Sequence, residues 1–252
     1  MNFGGKMFNL KDMKLDLNPF PHFFIEDFLD EEIFQDIKEN FPSKEWFGNG
    51  EHGDGRTTSH TNRFNLSAGQ YGETNFQEFI GLKQNISWKK LYNQFKSSNF
   101  RDQIIFKFGK EFDNHGFLEG EYSPITFDIS YQTNGYVNPP HLDTPYHIFQ
   151  AIVYLSTEKI QKGGNITLWK NNEIIKNYKI KNNSCLIWMN CKDSFHAAYP
   201  ELIGERQLIY VGIDSKLSSC WVNRAAPDSH EFNIKNAKSP WRIYDFSKNV
   251  FI

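Results

Sequence analysis

The spacing of apolar residues changes character once along this chain. From Glu73 to Phe112 it is helical: Phe76, Phe79 and Ile80, then Trp88, Leu91, Tyr92 and Phe95, then Ile104, Ile105, Phe108 and Phe112 recur at three- and four-residue intervals. That period predicts two or three amphipathic helices. After Glu121 the period falls to two, with Ile125, Phe127, Ile129 and Tyr131 on one side and Thr126, Asp128 and Ser130 on the other, as in a strand. Further strand-like runs are Ile148 to Leu155, Asn165 to Trp169, Ile174 to Ile180, Ser184 to Trp188 and Gln207 to Asp214. Turn residues Gly163-Gly164, Asn171-Asn172 and Asn182-Asn183 separate them. Many short strands broken by turns point to a double-sheet jelly roll or barrel.

Ahead of the helical stretch, Pro21 to Phe28 reads as a short strand. Asp30 then stands where it can cap a helix that carries Glu31 and Glu32 in its first turn and Ile33, Phe34, Ile37 and Phe41 on one face. Between Phe47 and Asn65 the pattern breaks down into glycines interleaved with His52, Arg56, His60 and Arg63, which predicts a loop, read equally well as a substrate lid over 47–65 or as ordinary solvated chain.

Composition turns this pattern into an expectation of one folded unit. With 39% hydrophobic and 16% aromatic residues over 252 positions, the chain carries ample apolar surface for a single core. The expected layout is one domain over 1–252: a helical support region at 18–120, a strand-built core at 121–217 and an extension at 218–252, whose Trp241, Tyr244 and Phe246 hint that it packs back. The fold class expected is α+β, a jelly-roll core with N-terminal helices against one sheet.

Charge is nearly balanced, at 28 basic and 30 acidic residues, and no Lys/Arg stripe stands out, so nucleic acid is not an expected partner. No apolar run approaches the ~20 residues of a membrane span. Met1 to Leu10 lacks the basic, apolar and small-residue sequence of a secretory signal. Cys185, Cys191 and Cys220 are odd in number and lack Cys-x-x-Cys spacing, which argues against a disulfide framework and a zinc knuckle. A cytoplasmic location fits these features.

Candidate chemistry sits at the start of the strand half. In Asn138-Pro139-Pro140-His141-Leu142-Asp143, an imidazole and a carboxylate at i and i+2 project to the same side of a strand or its end. His196, 55 residues later and just beyond the apolar run ending at Met189, supplies a third ligand type. Two imidazoles and one carboxylate on one face of a metal leave positions open, the arrangement of non-haem iron(II) oxygenases. Ten residues on, Arg206 opens an alternating strand with a guanidinium fork suited to a carboxylate. Any one of the eight histidines is more often structural than a ligand. His22, His115 and His230 are read so, as is His147, a strand residue facing a polar neighbour; Trp169 and Trp188 are read as core.

The series His141-x-Asp143, distant His196, then Arg206 resembles the iron(II)- and 2-oxoglutarate-dependent oxygenase superfamily. Tyr131, Gly135 and Tyr136 before it, Gly163-Gly164 leading into Asn165-Ile166-Thr167, and the opening Pro21 to Pro42 stretch resemble its prolyl-hydroxylase-like branch. The resemblance implies a double-stranded β-helix over about Glu121 to Leu217. It further implies Fe(II) held by His141, Asp143 and His196, 2-oxoglutarate as co-substrate held by Arg206 and touched by Tyr131, and ascorbate as reductant. The implied reaction is hydroxylation of an unactivated C–H bond, with release of succinate and CO2. Asp143 sets the chain apart from the halogenases of that superfamily, in which the carboxylate is missing.

Two departures bear on the substrate. Arg206 stands where prolyl hydroxylases commonly carry Lys, and Ile166 where they carry Thr, so the resemblance leaves a prolyl side chain, a free amino acid and a sugar or lipid intermediate all open; a small molecule or a peptide is expected. Two rival readings keep the fold: a jelly-roll binding module without catalysis, and a cupin-like metal enzyme that does not use 2-oxoglutarate.

Overall fold

Helix and strand boundaries follow the apolar spacing closely. The computed structural model describes residues 7–10, 13–47, 62–68, 73–123, 125–222, 244–245 and 250–251. A first strand, β1 (His22–Ile25), precedes α1 (Glu31–Glu39), whose N-cap Asp30 accepts from the Glu32 N–H and whose Ile33, Phe34 and Ile37 are buried. A second strand follows, β2 (Arg63–Ser67), within and just beyond the segment expected to be a loop. Residues 48–61 of that predicted lid, including His52, Arg56 and His60, lie outside the described residues.

Next come α2 (Glu73–Gly81), α3 (Ile86–Lys96), α4 (Ser98–Phe108) and the one-turn α5 (Glu111–Asn114). Ser97 divides two of them: its extended backbone ends α3, and its side chain accepts from the Phe100 N–H to start α4.

The strand half contains β3 (Thr126–Gln132), β4 (Asn138–His141), β5 (His147–Ser156), β6 (Ile160–Lys162), β7 (Ile166–Lys170), β8 (Glu173–Tyr178), β9 (Ser184–Met189), β10 (His196–Ala198), β11 (Ile203–Gly204) and β12 (Arg206–Asp214). A terminal pair, β13 (Tyr244–Asp245) and β14 (Val250–Phe251), closes the described chain; Trp241 and Phe246 lie outside it. Asn171 and Asn172 link β7 to β8 with φ of 51° and 65°, the left-handed pair that a two-residue hairpin turn requires.

The main strands alternate between two sheets. One has six strands in the order β1-β9-β5-β12-β3-β2, the other four in the order β4-β10-β7-β8, and neighbours pair antiparallel throughout. This is the expected α+β jelly roll, with one extension: the larger sheet takes its two edges, β1 and β2, from the N-terminal region.

The two faces of the larger sheet differ. Towards the helices, Phe127 packs on Phe76, Tyr92 and Phe95 with ring centroids 5.3–6.0 Å apart, and Phe149 packs on Phe100 and Phe108 at 6.2 and 6.3 Å. Towards the second sheet the same strands present Asp128, Ser130 and Gln132 from β3 and Arg206 and Tyr210 from β12, set by the pairing of Arg206 with Gln132, Leu208 with Ser130 and Tyr210 with Asp128. No helix among the described residues is long and apolar enough to cross a membrane.

Candidate metal centre

β4 and β10 are neighbours in the smaller sheet, and His141 pairs directly with His196 across them. Facing positions on adjacent strands bring side chains together, and here the two imidazole centroids are 4.4 Å apart. Asp143, just past the end of β4, places Oδ1 3.4 Å from His141 Nε2 and Oδ2 3.0 Å from His196 Nε2. One ligand atom from each residue falls within 4.8 Å of the others, and both histidines are buried.

His196 Nδ1 lies 2.9 Å from the Ser194 carbonyl, to which it donates, which turns Nε2 towards Asp143 Oδ2 at 3.0 Å. Two imidazole nitrogens and a carboxylate oxygen gathered this closely are a donor set that a divalent metal can use. Asn138 Nδ2 lies 3.2 Å from His141 Nε2 and donates to it. Burial pushes the Asp143 carboxyl up, but the adjacent imidazoles outweigh burial and hold it well below the usual carboxylate range.

Arg206 is buried on the inner face of β12. Its Nε donates to Gln132 Oε1 at 2.6 Å, its Nη1 donates to the Gly164 carbonyl, and its guanidinium carbon sits 5.5 Å from the Tyr136 ring and 5.7 Å from the Tyr154 ring. Among the described residues no carboxylate pairs with it. Burial lowers its affinity for the proton, partly offset by the flanking Tyr154 and Tyr136. Glycine is needed beside it: Gly163 and Gly164 have φ of 69° and 66°, and a Cβ on Gly163 would come within 1.9 Å of the Glu201 carbonyl oxygen.

Tyr131 lies on the other face of its strand from Gln132. It pairs with Gln207, not Arg206, and therefore points to the helix side of the sheet. There it meets Phe47 and Phe64, with Lys44 Nζ 5.2 Å above its ring, and bonds to Glu205. Its neighbour Gln132 faces inward in its place. His147 is also apart from the trio, its Nδ1 bonded to Asp214.

Several inward-facing residues escaped the sequence reading. Trp188, expected to be plain core, has its ring centroid 4.6 Å from that of His196, the planes tilted by 52°. Gln150 donates to the Tyr210 hydroxyl, and Arg63 on β2 stands opposite Gln132. Ser130 Oγ, Gln150 Oε1 and Trp188 Nε1 are buried without partners among the described residues, and all three belong to the inner face. Such groups cost about 1–3 kcal/mol each unless something polar meets them.

No protein-family profile and no curated protein matches the sequence. Solved structures do share its fold. A prolyl hydroxylase from Trichoplax adhaerens, in complex with a hypoxia-inducible-factor oxygen degradation domain peptide, aligns with 80% of this chain and 87% of its own at 16% identity and a TM-score of 0.54. A Pseudomonas putida prolyl-4-hydroxylase covers 80% and 96% at 10% identity and 0.50. A prolyl 4-hydroxylase from Phytophthora capsici covers 87% and 69% at 13% identity and 0.50.

Proposed function

We propose that this chain is an Fe(II)- and 2-oxoglutarate-dependent dioxygenase that hydroxylates an unactivated C–H bond of a small molecule or peptide. The observation that carries the reading is the trio itself: two imidazole nitrogens and a carboxylate oxygen within 4.8 Å of one another, on the same interior as a buried arginine with no acidic partner among the described residues. The shared fold is consistent with it.

Iron with 2-oxoglutarate supplies the oxidising power when bound: substrate R–H, O2 and 2-oxoglutarate become R–OH, succinate and CO2. The chain's own part is placement. His141, Asp143 and His196 would hold the iron through two imidazole nitrogens and one carboxylate oxygen. The Ser194 carbonyl fixes the His196 tautomer, and Asn138, which donates to His141 Nε2, gives up that bond when a metal takes the lone pair. Arg206, held by Gln132 and Gly164 between two tyrosine rings, pairs with the far carboxylate of 2-oxoglutarate. Trp188 walls off water beside His196.

The test measures Fe(II) binding and succinate release from 2-oxoglutarate, with ascorbate, in the wild type and in His141→Ala and Asp143→Ala. Removing even an outer partner of a ligand costs about 10- to 100-fold in metal affinity, so losing a ligand exceeds that. Equal metal binding in either variant would overturn the assignment.

A further inference from the structure

We infer that Arg63 anchors a second acidic group inside the roll, so that the molecule hydroxylated carries a carboxylate. This rests on the dioxygenase reading and names the substrate class for it. Arg63, Gln132 and Arg206 lie side by side on three adjacent strands, β2, β3 and β12, with Gln132 between the two arginines. Arg206 remains at its end of the row. The Arg63 guanidinium instead runs along the sheet towards the metal centre, 5.8 Å from the Tyr210 ring, and it interacts electrostatically with Tyr136, Asp128, Tyr210 and Asp143.

Among the described residues its donors are mostly unused. Nε donates to Asn65 Oδ1 at 3.0 Å. Its ion-pair partner, Asp128, is 3.6 Å from Nη2, beyond hydrogen-bond range, and already accepts from Ser67 Oγ at 2.5 Å and Asn65 Nδ2 at 3.3 Å. Were Arg63 only a brace between β2 and β3, its fork would close on Asp128. Among the described residues neither Nη group makes a hydrogen bond, though the side chain is only 16% exposed. A guanidinium so placed presents two parallel donors to a carboxylate.

Two facts assign that carboxylate to the substrate. 2-Oxoglutarate has two carboxylates, and in the proposed function the iron would take one and Arg206 the other, so an anion at Arg63 would come from another molecule. The two arginines also repel each other, Arg63 helping to lower the proton affinity of Arg206, which suits an interior that receives more than one anion.

The experiment uses the full chain loaded with Mn(II) and saturated with N-oxalylglycine, an unreactive 2-oxoglutarate analogue, and titrates propionate and propionamide by calorimetry. Propionate should bind and propionamide should not. R63M should weaken propionate by about tenfold or more, with R63K intermediate because it keeps the charge and loses the fork. N-Oxalylglycine affinity should stay within about twofold of wild type in R63M and fall in R206M. If wild type binds no propionate, or binds both probes alike, the inference fails without any variant having to fold. It fails also if R63M binds propionate normally, or if it loses N-oxalylglycine as R206M does, which would assign Arg63 to the co-substrate. If Mn(II) and N-oxalylglycine do not load at all, the dioxygenase reading falls first and takes this one with it.

Discussion

The two faces of β3 belong to different kinds of surface. On the helix side Phe127 and Ile129 are fully buried among aromatic rings. On the inner side Ser130 and Gln132 are as deeply buried, yet Ser130 Oγ has no partner, and Gln132 is committed to an arginine that itself lacks a counter-ion among the described residues. A strand's side chains alternate strictly, so one seven-residue segment serves packing with every second position and chemistry with the rest. Stability therefore comes mainly from one face, and the other holds polar groups at a cost that a ligand bound there would relieve.

Substitutions of opposite kinds should separate the faces. Phe127→Ala removes a ring packed on three others and should cost about 3–5 kcal/mol in denaturant unfolding while leaving metal affinity unchanged in the folded fraction. If stability is unaffected, the helix face is not the main support of the sheet. Arg206→Ala should weaken 2-oxoglutarate binding by about 1.5–3 kcal/mol, whereas Tyr131→Phe, on the far side of the same sheet, should leave it within about twofold. Equal losses would mean that the sheet does not divide the two functions.

Smaller effects sharpen the contrast. Ser130→Ala deletes an unsatisfied hydroxyl and should be neutral or stabilising by up to about 1 kcal/mol, with turnover reduced; a destabilised variant would show that the hydroxyl is satisfied in solution. At the rim of the helix side, by contrast, Glu158 accepts from Lys38, Ser156 and Asn182. Burial raises its carboxyl, but these bonds outweigh burial and bring it down to about 2. A depressed folded value means the contribution is complete above the unfolded value of ~4.3 and is lost as pH falls towards 2. Because Glu158 is half exposed, the amount is under about 1 kcal/mol, and Glu158→Gln should flatten that part of the acid unfolding curve by no more than this.

Much of this was legible in the residues. The alternation from Ile125 to Tyr131 located β3 and its two faces, and His141, Asp143, His196 and Arg206 were identified by residue type and spacing. The same alternation groups Tyr131 with Phe127 and Ile129, on the face away from Gln132. β4 was obscured by Pro139 and Pro140, which lack an N–H and are tolerated because β4 is an edge strand. β2 was hidden because Arg63 to Ser67 alternates only briefly after a glycine-rich stretch. Trp188 was read as core because an indole within an apolar run looks the same whether it meets leucine or a histidine of the site. Which strands become neighbours depends on long-range pairing that local patterns do not carry.

His141 and His196 share one rung of the smaller sheet although 55 residues separate them in the chain. An ion gripped by both would act as a rivet, fastening the outermost strand of that sheet to the one beside it. By mass action, filling the site and holding that margin shut become a single equilibrium, so scarcity of the metal would first be felt as a loosened edge, ahead of any failure of the core.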